Sequence, residues 1–149
     1  MKVLIDADAC PVWRVAVKIC NELQTEYVLV CDVSHQFKEE FNVIYVDGGA
    51  DAADYKIVAL TNKNDIVITQ DYGLATMVLS KEGNVINQNG MIYDDRNIMT
   101  LLESRAFNQK MRKHKVHLKG PKKRTEDQNV SFADSFTNLI KKVQSNISS

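Results

Sequence analysis

Four stretches of the chain are continuous apolar runs of strand length: KVLID at 2–6, EYVLVCD at 26–32, NVIYV at 42–46 and DIVIT at 65–69. A weaker run spans 84–86. Rich in β-branched residues and without strict alternation, they have the pattern of strands buried on both faces. Between them the spacing turns helical. Val12, Ala16, Ile19, Cys20 and Leu23 recur at helical intervals, and Pro11 suits a first helical position, where its missing N–H leaves nothing unpaired. Further helices are predicted over about 50–60, over about 74–79 before Gly83, and from near Asn97, with Ile98, Leu101, Leu102 and Phe107 on the apolar side. Thr125 with Gln128 has the form of a capping box. Phe132, Phe136, Leu139, Ile140 and Val143 then mark a final amphipathic helix over about 126–145. Residues 115–124, KVHLKGPKKR, read as a loop. Strands alternating with helices predict an α/β, three-layer fold, a mostly parallel sheet flanked by helices. At 149 residues one domain is expected.

Composition narrows the setting. No apolar run approaches the roughly 20 residues that span a bilayer, and the first residues lead straight into a strand, so a cytoplasmic protein without membrane contact is expected. Cys10, Cys20 and Cys31 form neither a CxxC pair nor a zinc spacing, which fits reduced thiols and argues against structural zinc. The formal net charge of zero conceals a segregation: residues 1–103 carry 16 acids and 8 bases, and residues 104–124 carry 9 bases and no acid. Such a run is a solvated face or, if the rest of the protein handles phosphates, a polyanion contact.

The acids fall where an open parallel sheet binds ligands, at the carboxyl ends of its strands. Asp6 ends the first strand and Asp32 the second, Asp47 follows the third, and Asp71 follows the fourth in VITQD. The second helix adds Asp51 and Asp54, the latter on one face with Ile57 and Val58 and therefore turned toward the sheet, while Lys56 faces away. Carboxylates gathered at the margin of a core call for a positive partner. With no Lys or Arg inside these motifs, a hard divalent cation suits the all-oxygen set, and Mg²⁺ or Mn²⁺ is the expected cofactor. Some of these acids have simpler readings. Asp47 and Asp51 flank Gly48, Gly49 and a helix start, so either fits a turn or an N-cap; Asp32 fits a loop cap, and Asp94 and Asp95 a helix start.

An acid closing the first strand, the D-x-x-D helix and the TxD that closes a later strand resemble, in chain order, the PIN-like nucleases. DADACPV, GADAADYKIV, VITQDYGLA, NGMIY and GPKKRT resemble more closely the YaiI/YqxD family of bacterial proteins, over nearly the whole chain. The resemblance implies a PIN-like fold with an acidic metal-binding centre at Asp6, Asp8, Asp54 and Asp71, with Asp51 beside them. One departure lies in EDQNVSFADSF, where relatives carry a basic residue soon after the Asp.

No Ser/His/Asp set is evident, and His35, His114 and His117 lie outside the acidic motifs. Cys10, before a proline and with no histidine in its motif, reads as a packed thiol. Metal-assisted phosphodiester hydrolysis follows, with Asp6, Asp54 and Asp71 as ligands, Asp51 as a further one, and Asp8 as a ligand or an orienting group. Arg105, Arg112, Lys122, Lys123 and Arg124 would hold flanking phosphates, within a basic stretch that also includes Lys110, Lys113 and Lys119. The expected partner is a nucleic acid, RNA before DNA. Two alternatives stand beside it. One is a non-catalytic RNA-binding protein. The other is a haloacid-dehalogenase-like phosphatase, with Asp6 of DADAC as nucleophile, Asp8 as acid/base and the acids of MIYDDRN as the late pair. It leaves Asp54 idle and lacks a catalytic lysine on a helix between the motifs.

Overall fold

A computed structural model describes residues 1–32, 42–48, 51–113 and 123–148. Its strands are β1 (Lys2–Asp6), β2 (Glu26–Asp32), β3 (Val43–Val46), β4 (Ile66–Ile68), β5 (Asn84–Ile86) and β6 (Ile92–Tyr93). Its α-helices are α1 (Trp13–Glu22), α2 (Ala52–Leu60), α3 (Tyr72–Ser80), α4 (Asp95–Lys113) and α5 (Glu126–Ser148), and Ala7–Ala9 form one 3₁₀ turn after β1. The strands make one sheet in the order β3-β2-β1-β4-β5-β6, parallel except for the antiparallel β5–β6 pair. This is the three-layer, PIN-like α/β arrangement expected from the sequence.

Strand alternation divides the core in two. Val3 and Ile5 of β1, with Leu29, Cys31, Ile66, Ile68 and Ile86, face α1 and α5, where Phe132, Phe136 and Ile140 are fully buried. Leu4, Val30, Val67 and Val85 face the other way, onto Ile57 of α2, Leu74 and Val78 of α3 and Ile98 of α4. Asp6 stands two residues beyond Leu4, so the same alternation turns it to the α2–α3 side. The neighbours of β1 are β2 on one side and β4 on the other. Successive connections therefore run in opposite directions from β1, and a crevice opens between the ends of β1 and β4, the topological switch point of such a sheet.

The elements depart from the sequence pattern in a few places. Pro11 lies in a turn and α1 begins at Trp13 with Val12 as N-cap, because the 3₁₀ turn lengthens the strand-to-helix passage. Helix α3 starts at Tyr72, two residues earlier than expected, capped by Asp71. Helix α4 starts at Asp95 and runs to Lys113, with Phe107 exposed rather than packed, since the helix leaves the core after Leu102. Strand β6 is too short to leave a period in the sequence. The capping box of α5 is formed: Thr125 N–H donates to Gln128 Oε1 (2.9 Å) and Gln128 N–H to Thr125 Oγ1 (3.4 Å). Among the described residues, no helix is long and apolar enough to cross a membrane.

Candidate functional site

The crevice at the switch point is a cleft of about 520 Å³ lined by Asp6, Asp8, Asp51, Asp54, Gln70, Asp71, Tyr72 and Arg105, with Ala53 in its wall. The side chains arrive from the end of β1, the 3₁₀ turn, the start of α2, the passage from β4 into α3, and α4. Asp6 is the last residue of β1 and is buried, 7% exposed; its Oδ2 accepts a 2.9 Å bond from the Thr69 hydroxyl at the end of β4. The same Thr69 oxygen accepts from Asp71 N–H at 3.0 Å, so one buried hydroxyl ties the end of β1 to the β4–α3 turn. Asp71 Oδ1 in turn accepts from Leu74 N–H (3.0 Å) as the N-cap of α3. Asp8, on the 3₁₀ turn, accepts from Asp32 N–H through Oδ2 (2.8 Å), which closes that turn onto the end of β2. Asp54 lies on the first turn of α2, half-buried, one turn ahead of the fully buried Ile57.

These placements set the electrostatics. Burial raises the pKa of Asp6; the Thr69 hydrogen bond opposes this, and the charges of Asp8 and Asp71 add to it. Asp54 is pushed up to about 7, first by burial, then by the charges of Asp71 and Asp6, then by a hydrogen bond with Asp71 that favours the protonated acid, and last by Asp51. Asp65 makes the contrast. At the opposite end of the sheet it is as buried as Asp6, and it accepts from Lys2 N–H (3.0 Å), Lys2 Nζ (2.6 Å) and Asn62 N–H (2.8 Å). Lys2 and Asp65 thus form an ion pair, and Lys63 pairs with Glu82 at the surface; neither of these pairs lies in the cleft. By the chemistry of their donors, crowded carboxylates fit a divalent cation. Among the described residues, no group of three or more His, Cys, Asp or Glu side chains is arranged to hold an ion.

The other sequence-marked residues are spread more widely. Arg105, near the middle of α4, lines the acidic cleft and an adjoining pocket, and Arg112 lines that pocket only. Lys123 is exposed, whereas Arg124 is half-buried, donating from Nε to Asn129 Oδ1 (2.6 Å), from Nη1 to Asn89 Oδ1 (2.6 Å) and from Nη2 to the Gln88 carbonyl. Lys119, Lys122 and the three histidines lie outside the described residues. Asp47, Asp94 and Asp95 do not line the cleft, and Asp94 instead exchanges bonds with Asn97 at the start of α4. Cys10 is buried and its thiol is pushed up to about 12, mainly by burial, which keeps it protonated and unreactive at neutral pH. The residue-level reading passed over Thr69, although the threonine of TxD was its signal, and over Tyr72 and Gln70 in the wall.

A family model described as "Uncharacterized BCR, YaiI/YqxD family" matches residues 4–142, a span that includes every residue of the cleft. The chain belongs to the YaiI/YqxD family. It is 44% identical to a UPF0178 protein of Oceanobacillus iheyensis over 95% of this chain and 100% of the relative. It is also 38% identical to one of Clostridium acetobutylicum (94% and 97%) and 42% identical to one of Exiguobacterium sibiricum (94% and 96%). No solved structure matches the chain.

Proposed function

We propose that this YaiI/YqxD protein is a metal-dependent nuclease that hydrolyses phosphodiester bonds, RNA being the first candidate substrate, at the cleft between β1 and β4. The observation that carries the proposal is the convergence of Asp6, Asp8, Asp51, Asp54 and Asp71 on one crevice, where burial and mutual repulsion raise the pKa of Asp6 and Asp54. A bound Mg²⁺ or Mn²⁺ would supply Lewis acidity toward a phosphate and a water of lowered pKa. One or two of Asp6, Asp54 and Asp71 would bind the ion directly and the others through its waters, with Asp51 at the rim. Thr69 would keep Asp6 aimed, and Asp8, braced on Asp32 N–H, would orient from the side. Among the described residues of the cleft wall, Arg105 is the one base, and it would offset phosphate charge there.

Metal-stripped protein incubated with labelled single-stranded RNA and DNA, with and without Mn²⁺, tests this reading. Mn²⁺-dependent cleavage that is lost in Asp6→Asn is the expected result. RNA binding with no cleavage at any Mn²⁺ concentration would leave a binding protein in place of a nuclease.

A further inference from the structure

Next to the acidic cleft lies a second pocket of about 420 Å³, whose lining includes Tyr72, Leu101, Arg105, Asn108, Gln109 and Arg112. Tyr72 and Arg105 belong to both walls, so the two hollows form one continuous track from the acids along α4. We propose that this track holds the single-stranded segment flanking the reacting phosphate, with Tyr72 as stacking platform for a base and Arg105 and Arg112 as successive phosphate contacts.

Helix geometry supports it first. Leu101, Arg105, Asn108 and Arg112 follow the three- and four-residue spacing of one helix stripe. Seven residues separate the two arginines, two turns or about 10.5 Å of rise. That equals about three steps of a stacked strand at ~3.4 Å each. Among the described residues, the lining has no carboxylate, whereas the adjoining cleft has five, so a polyanion would find its charge answered in the track and a cation its ligands in the cleft. These side chains are free of structural duty in the core: every residue from Glu103 to Lys110 is exposed. Tyr72 differs. It is half-buried, and its ring meets the buried Tyr93 edge-on at 6.0 Å between centroids and 74° between planes. An aromatic ring fixed in that way makes a platform of low entropy cost, and stacking on it accepts any base. Asn108 and Gln109 add amide donors and acceptors to the lining. Both hollows have the volume of small-ligand pockets, room for single nucleotides of one strand.

This inference rests on reading the acidic cleft as a phosphodiester site, and the test separates the two. Binding of a fluorescein-labelled oligouridylate is followed by anisotropy in EDTA, so that no cleavage intrudes, over a range of salt. Arg112→Gln should weaken binding and flatten the slope of log K against log salt by about 0.7. Tyr72→Leu should weaken binding about tenfold with little change in slope, and Tyr72→Phe, which keeps the ring, should restore it. Thermal melts of each variant establish that it is folded. A duplex of the same length should bind more weakly than the single strand. Equal affinity and slope for Arg112→Gln and the parent, no binding by the parent, or equal binding of duplex and single strand would each overturn the track. The acidic cleft is judged separately, by calorimetric Mn²⁺ titration of the parent and Asp6→Asn: equal affinities there would remove the metal site, whatever the oligonucleotide does.

Discussion

Asp54 is the residue at which the fold opposes an ordinary titration most strongly. Its carboxyl lies near 7 in the folded protein, against about 3.9 for an unfolded aspartate. Between those values the folded state binds more protons than the unfolded chain, so stability is greatest below about pH 4 as far as this group is concerned, and declines as pH rises to 7. The nominal linkage must be discounted at a half-exposed site, leaving a loss on the order of 1 kcal/mol. Asp54→Asn removes the titration and part of the crowding around Asp71 and Asp6. The metal-free variant should therefore be more stable than the parent at pH 7 by about 1 kcal/mol, show a flatter profile of melting temperature between pH 4 and 7, and bind Mn²⁺ more weakly. Parallel melting profiles for the two proteins would remove the crowding argument. Thr69 poses the reverse case, since its hydroxyl both donates to Asp6 and accepts from Asp71 N–H in a buried place. Thr69→Val leaves both partners unanswered and should lower unfolding free energy by about 1–3 kcal/mol in urea titration, with Thr69→Ser recovering most of it.

At the scale of elements, α3 shows a carboxylate with two duties. Asp71 Oδ1 caps the helix through Leu74 N–H, and the same side chain lies in the acidic cleft within reach of Asp54. Substitution separates the duties. Asp71→Asn keeps an acceptor for the cap and should leave stability within about 0.5 kcal/mol of the parent, whereas Asp71→Ala should cost about 1 kcal/mol. Calorimetry should find Mn²⁺ binding weakened in both, because both remove the charge. That dual use also explains what the sequence could and could not show. Strands β1 and β2 are legible to the residue because long apolar runs bounded by Asp have few other readings, and the five apolar residues assigned to α5 are all buried. The start of α3 was hidden, since Asp71 as a site acid and Asp71 as a cap leave the same letter in the chain. The outer half of α4 was hidden for another reason: it has no buried face to impose a period, so Phe107 resembled a core residue only by its type. For the cleft, acids at strand ends were visible one by one. The strand order that brings β1 and β4 side by side was not, because it is set by crossovers rather than by any local pattern. Thr69, a small polar residue inside an apolar run, gained its meaning only from the Asp6 oxygen 63 positions away.

For the molecule as a whole, the long helix α5 is the element that closes one face of the sheet, and its attachment depends on the turn between β5 and β6. Ser131 Oγ donates to the Asn89 carbonyl (3.1 Å) and Ser135 Oγ to the Gly90 carbonyl (2.6 Å), while Gly90 takes a φ of +90°. A Cβ at Gly90 would stand 2.7 Å from the Ser131 carbonyl oxygen, so both the backbone angle and the close approach require glycine there. Arg124 completes the clasp by grasping Gln88, Asn89 and Asn129 with all three of its nitrogens. The basic segment therefore holds two kinds of charge, a clamp at Arg124 and an exposed ammonium at Lys123. Replacing both together would confuse folding with binding, and replacing them singly distinguishes the two. Arg124→Ala removes hydrogen bonds from a half-buried guanidinium and strands their acceptors, which should lower stability by about 3 kcal/mol. Lys123→Gln should change stability by less than about 0.5 kcal/mol. If Lys123 meets a polynucleotide phosphate, the same variant should flatten the salt dependence of single-strand binding by about 0.7, while Mn²⁺ affinity at the acidic cleft stays at the parental value. An unaltered salt slope in Lys123→Gln would confine the polynucleotide contacts to the α4 side of the cleft and leave this end of the basic segment a solvated connector into α5.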